Sequence, residues 1–189
     1  MKTETRKEEI VQTAAKLFKE KGYSAVTMRD LAKAMGIKAA SLYNHINSKQ
    51  DILKDIIISL AEEFTQGMQL IKSSEATSIE KLKKIVSLHI HITSRNPNGM
   101  ASLNNDWMHL EEQKHHYIQL RHRYEDDFRQ IINEGIKSNE IKKSNSDVML
   151  FSMLSTLRSL YLWIPKKEDL NTETLSQNLS EVLIDGINK

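Results

Sequence analysis

The chain of 189 residues has no cysteine, which excludes disulfides and thiolate metal sites and makes a reducing compartment sufficient. Only two prolines and six glycines occur. No alternating run of β-branched residues is bounded by turn signals, so strands are hard to place and the expected class is all-α. There is no glycine-rich phosphate loop and no G-x-S-x-G turn. An enzyme would have to build its catalysis from histidines and carboxylates alone, so the sequence reads as non-enzymatic, with no cofactor expected. No stretch approaches the roughly 20 apolar residues that a membrane span requires, and Met1 to Glu9 is charged with no apolar run behind it. The expectation is a soluble, cytoplasmic protein with no membrane partner.

What is present is unevenly charged. Residues 1–54 hold 11 Lys and Arg against 6 Asp and Glu, and the remainder holds 16 against 19. A basic head on a mildly acidic body suits a polyanionic partner.

Hydrophobic spacing predicts about nine helices. The first runs from about Thr5 to Lys21, with Ile10, Ala14, Leu17 and Phe18 on one face and Gly22 as its cap. Thr27 opens a short second helix through a T-x-x-D capping box with Asp30, which stops at Gly36. A third spans about Ala39 to His45. Ser48 caps a long fourth from Lys49 to Ile71, striped by Ile52, Ile56, Leu60, Phe64, Met68 and Ile71. Further helices are expected over about 79–94, 100–104, 107–137, 148–164 and 172–187.

Thr27 to Lys49 is the segment that carries chemistry, because two short helices there flank a tight turn. Ala32 is small where they cross, Gly36 permits a positive φ, and Ile37 with Leu42 fills the core beneath. The second of the two helices presents small and hydrogen-bonding side chains, which is what a helix entering a major groove needs. This segment resembles the TetR family of one-component regulators. The resemblance rests on the Gly22-Tyr23 pair, on Thr27-Met28-Arg29-Asp30-Leu31-Ala32, on the Gly36 turn, and on Leu42-Tyr43-Asn44-His45-Ile46-Asn47-Ser48-Lys49. It covers about residues 6–54 and departs at Ile46, where an aromatic residue is common. It implies phosphate contacts from Thr27, Tyr43, His45 and Lys49, and base or groove-wall positions for Lys38, Ala39, Ala40, Ser41 and Asn44. Arg29 is either a groove contact or a surface charge. Lys49 also has a physical warrant: it lies in the first turn of a helix, where a phosphate would meet free amides as well as the ammonium.

The resemblance divides the chain into a DNA-binding head, 1–47, and a helical ligand-binding and dimerising body, 48–189. The helix over 148–164 is apolar on opposing sides, so one side must find a partner beyond its own core. Met153, Leu160 and Tyr161, with Leu175, Leu179, Val182 and Leu183 of the last helix, are expected to pair with a second copy. A two-fold homodimer sets its recognition helices about one DNA turn apart and predicts a palindromic, double-stranded operator. As pocket residues, Trp107, Leu110, Tyr117, Tyr124 and Phe128 would wall an apolar cavity, with His89 or Arg121 fixing a polar group of a small-molecule effector. The spread from Trp107 to Trp163 faintly resembles members that sense acyl-CoA-like or other lipophilic metabolites. A metal site is the competing reading: His109, Glu112 and His116, at i, i+3 and i+7, share a face of the expected 107–137 helix. A helical adaptor that binds no specific DNA is a further alternative, and repression against activation stays open.

Overall fold

The computed structural model describes residues 5–186. Among them are nine α-helices and no strand: α1 (Arg6–Lys21), α2 (Met28–Ala34), α3 (Ala39–Tyr43), α4 (Lys49–Lys72), α5 (Ser78–Arg95), α6 (Pro97–Asn105), α7 (Lys114–Lys137), α8 (Ser146–Trp163) and α9 (Thr172–Ser180). The chain forms two compact units, one from Met1–Ala61 with Asn98–Ile118, the other from Glu62–Pro97 with Gln119–Lys189.

Local chemistry starts most of these helices. Thr5 and Glu8, Thr27 and Asp30, and Thr77 and Glu80 each form a reciprocal capping box at the heads of α1, α2 and α5. Each box satisfies two amides that a helix start leaves without partners. In the first unit, α1 packs on α2 and α2 on α3, burying Ile10, Ala14, Phe18, Leu31, Ala32 and Leu42. Ile46 is 3 % exposed, so the aliphatic residue fills the core position that an aromatic commonly takes. The expected helix over 107–137 is broken. Trp107–His109 is one 3₁₀ turn, Leu110 is extended, and α7 begins only at Lys114. Leu110 is buried, and Gln50 Nε2 donates to the His109 carbonyl at 2.9 Å, so tertiary anchoring overrides helix propensity there.

In the second unit α5 packs on both α8 and α9. Gly135 of α7 marks a close approach: a Cβ there would lie 2.7 Å from the Ser78 Cβ. Asp127 of α7 is buried and satisfied, accepting from Gln69 Nε2 at 2.6 Å and from Lys72 Nζ at 2.5 Å. Contrary to the sequence expectation, Ser146–Lys166, 21 residues, is long and apolar enough by composition to cross a membrane. One side of it, Leu150, Met153, Leu154, Leu157, Leu160 and Tyr161, is nonetheless packed inside the unit, as in a core helix. After α9 the chain makes a single π-helical turn, Glu181–Asp185, and the expected position Ile187 lies outside the described residues.

Candidate nucleic-acid interface

The turn between α2 and α3 closes through backbone bonds from Gly36 N to the Lys33 carbonyl (3.2 Å) and from Ile37 N to the Ala32 carbonyl (3.0 Å). Gly36 sits at φ 66°, a region costly for a side chain carrying Cβ. Leu42 is fully buried beneath α3 and fixes its rotation, which turns the rest of the helix outward. Lys38, Ala40, Ser41, Asn44 and His45 are exposed, Ala39 is partly exposed, and Tyr43 is 52 % exposed despite its size. Thr27 and Arg29 are exposed on the α2 side. Thr27 Oγ1 also donates to Asp30 Oδ2 at 2.6 Å, and these bonds hold the Asp30 carboxyl below its ordinary range. The surface therefore joins side chains small enough for close backbone approach to a few that donate hydrogen bonds.

Lys49 is used differently from the phosphate role expected of it. Its ammonium donates to the carbonyls of Tyr23 (2.9 Å) and Val26 (2.8 Å) and lies 4.2 Å from the centre of the Tyr23 ring. Those carbonyls end the short turn after α1; the Tyr23 carbonyl also accepts from Val26 N at 3.3 Å, so the ammonium adds a charged donor to it and ties Val26 to the head of α4. Two of the three ammonium protons are thus committed to holding the head together. A Lys49→Ala variant is expected to lower the stability of the protein by about 1.5–3 kcal/mol, the range for hydrogen bonds to charged groups. Urea denaturation measures this, and an unchanged midpoint would return Lys49 to a purely external role.

Sequence reasoning missed the surroundings of Tyr23. Its ring meets Phe18 edge-on at 5.1 Å and stacks on His109 at 5.2 Å. Gln50 Nε2 also reaches Glu111 at 3.1 Å, and burial pushes the nearby Asp106 carboxyl up. No short motif records this cluster, because its members are distant in sequence.

The metal face does not form. Glu112 lies in the irregular link, His116 in the first turn of α7 and His109 against Tyr23, so the three share no helix face. Among the described residues no three His, Asp or Glu are placed to hold a metal ion.

The seven expected pocket residues are divided between the two units. Trp107, Leu110 and Tyr117 belong to the first, where Trp107 and Tyr117 pair at 5.7 Å and the Tyr117 hydroxyl donates to the Leu103 carbonyl. His89, Arg121, Tyr124 and Phe128 belong to the second. There His89 Nε2 and the Tyr124 hydroxyl are 2.9 Å apart, enclosed by Phe64 and Phe128. Burial, with Arg158 nearby, pushes the His89 imidazole down to about 3, so the ring is neutral. Arg121 and Arg158 both pair with Glu125, at 3.1 and 2.6 Å.

The expected dimer surface is corrected as well. Met153, Leu160 and Tyr161, expected on that surface, are buried within their own unit. The outward side of α8 is instead Val148, Phe151, Leu162 and Trp163, with exposed Ser152, Ser155 and Ser159 between them. On α9, Leu175 and Leu179 are partly exposed and line a groove of about 520 Å³ with Ser155, Ser159 and Trp163. Val182 is exposed and Leu183 partly so in the turn that follows.

Comparison with known proteins agrees with this architecture. The family described as "Bacterial regulatory proteins, tetR family" matches residues 10–56, and "Tetracyclin repressor-like, C-terminal domain" matches residues 75–187. The transcriptional repressor KstR2 of Rhodococcus jostii is 23 % identical over 185 residues, covering 96 % of this chain and 91 % of its own. The ketosteroid transcriptional regulator KstR2 of Mycobacterium tuberculosis superposes with a TM-score of 0.89 at 20 % identity, over 100 % of this chain and 97 % of that one. AibR, in complex with isovaleryl coenzyme A and operator DNA, superposes with a TM-score of 0.79 at 21 % identity, over 95 % and 98 % of the two chains. With its N-terminal helices and most of its body both matched, the chain belongs to the TetR family of bacterial transcriptional regulators.

Proposed function

We propose that the chain is a homodimeric repressor, working in the cytoplasm, that holds a palindromic operator and is released from it by a small lipophilic or acyl-CoA-like effector. The observation that carries the reading is the α3 surface: small and hydrogen-bonding side chains facing out over a closed core, in a chain whose first 54 residues are net basic. Thr27, Tyr43 and His45 then serve the phosphates, while Arg29, Lys38, Ala39, Ala40, Ser41 and Asn44 face the groove. The head is 1–47 and the body 48–189. The exposed apolar side of α8, with Leu175, Leu179, Val182 and Leu183, supports a second copy of the chain as partner. The repressor KstR2 and the effector-bound and operator-bound AibR support repression and an acyl-type effector.

The effector acts by favouring a state of the body in which the two heads no longer match operator spacing. Linkage then requires bound operator to weaken effector binding by the same factor. Such a regulator has no catalytic step to perform.

Fluorescence anisotropy on operator duplexes selected from genomic fragments tests the reading. Log affinity should fall linearly with log salt, with a slope set by the phosphates neutralised. Tyr43→Phe should weaken binding about three- to tenfold on every duplex, whereas Asn44→Ala should change which duplex is preferred. A salt-independent response would leave a helical adaptor as the better account.

A further inference from the structure

Among the described residues, four buried side-chain polar atoms have no partner within the protein, and three of them lie on α5: His89 Nδ1, Thr93 Oγ1 and Ser94 Oγ. His89 is 3 % exposed and Thr93 fully buried, four residues apart and therefore on one face of the helix. The Phe64 ring lies 4.6 Å from His89 and Phe128 packs against Tyr124, with the Arg158 guanidinium close enough to act on the imidazole. An unsatisfied polar group in such a place is costly, and natural interiors rarely keep several together without a use for them.

Counting hydrogens sharpens the point. A neutral imidazole carries one N–H and the phenol one O–H, giving the His89–Tyr124 pair two donor hydrogens for a single bond between them. If the phenol donates to Nε2, the Nδ1 hydrogen is left over. If Nε2 donates to the phenol oxygen, the phenol hydrogen is left over. One donor is unused in both tautomers, and the Thr93 hydroxyl adds a second. The positive charge nearby does not change the requirement, since Arg121 and Arg158 are already paired with Glu125.

From this we propose that the His89–Tyr124–Thr93 cluster is the specificity element of the effector site, and that it selects an apolar molecule whose buried end carries an uncharged hydrogen-bond acceptor, an oxygen of carbonyl type. This rests on the effector reading above and narrows it. A carboxylate is disfavoured there because Phe64 and Phe128 would strip its solvation while the nearby guanidinium is already neutralised by Glu125. A plain hydrocarbon leaves the donors unmet.

Three probes of matched length separate these cases: methyl nonyl ketone, undecane and undecanoate, titrated into the intact protein by competition and calorimetry. The ketone should bind about tenfold more tightly than undecane and more tightly than undecanoate. His89→Phe and Thr93→Val should each erase the ketone's advantage without weakening undecane. Should His89→Phe fail to fold, two-bond ¹H–¹⁵N spectra of the wild-type histidines answer instead, because the ketone must move the His89 nitrogen signals and undecane must not. Equal affinities, no binding by any of the three, preference for the carboxylate, or a ketone that leaves His89 unmoved would each overturn the proposal; equal affinities would assign the donors to ordered water. Operator binding measured on the same samples keeps the two readings apart, since DNA binding with no ketone preference defeats this inference alone.

Discussion

A Phe151→Glu, Leu162→Glu double variant is expected to sediment as a monomer and to bind a palindromic duplex at least about a hundredfold more weakly than the parent protein. Losing the second head removes the gain of holding two half-sites at once, typically a hundredfold or more. The two positions are chosen because Phe151 is 73 % and Leu162 is 52 % exposed, on the side of α8 that its own unit leaves uncovered. Glutamate at both would have to be stripped of water, or held against its symmetry mate, for the two copies to meet. Neither side chain fills the interior, so helical content should be retained and stability should change by no more than about 1 kcal/mol. Analytical ultracentrifugation and anisotropy on one preparation check both outcomes. A double variant that remains dimeric with full affinity would show that α8 is not the contact.

The second large effect is on stability against pH. In the folded chain the His89 imidazole is pushed from its ordinary 6.5 down to about 3 by burial, with Arg158 adding to it. A depressed value means that the unfolded chain takes up a proton that the folded chain refuses, so the contribution of His89 is intact above about 6.5. It is lost progressively as pH falls from there toward about 3. Between about pH 7 and about pH 5 the loss comes to about 2 kcal/mol, at 1.36 kcal/mol per unit. Carboxylates titrate in the lower part of that window too, so the informative quantity is the difference between wild type and His89→Phe. Urea denaturation over a pH series should show the wild type losing about 2 kcal/mol more than the variant. Parallel curves would mean that His89 is solvated in the folded protein.

How much of this was legible in advance depended on whether the cause was local. The Thr27–Asp30 capping box, the Gly36 turn and the burial of Leu42 follow from spacings of a few residues, and they position the whole α3 surface. The break at Leu110 left no such mark. Glu111, Glu112 and Gln113 are good helix formers, no proline or glycine intervenes, and the chain leaves the helix because Leu110 is buried and the His109 carbonyl is held by Gln50. The metal face failed with that helix. On α8, apolar residues occur all round, and a single sequence gives no means of telling the side facing its own unit from the side facing outward. Met153, Leu160 and Tyr161 carry the same spacing signal as Val148, Phe151 and Leu162, and only the packing of α8 separates the two sets. Lys49 follows the same rule: helix position identifies a cation near free amides, but not the two carbonyls brought to it by the turn after α1.

The smallness of Ala39, Ala40 and Ser41 has a consequence at the scale of a genome. On the proposed contacts, only Arg29, Lys38 and Asn44 carry side chains able to grip a base edge in more than one place, so each half of a target is specified by few letters. The remaining discrimination must come from the distance between halves and from how readily the duplex bends. A regulator addressed in this way gains and loses members of its regulon through single base changes, while the spacing of its targets stays fixed.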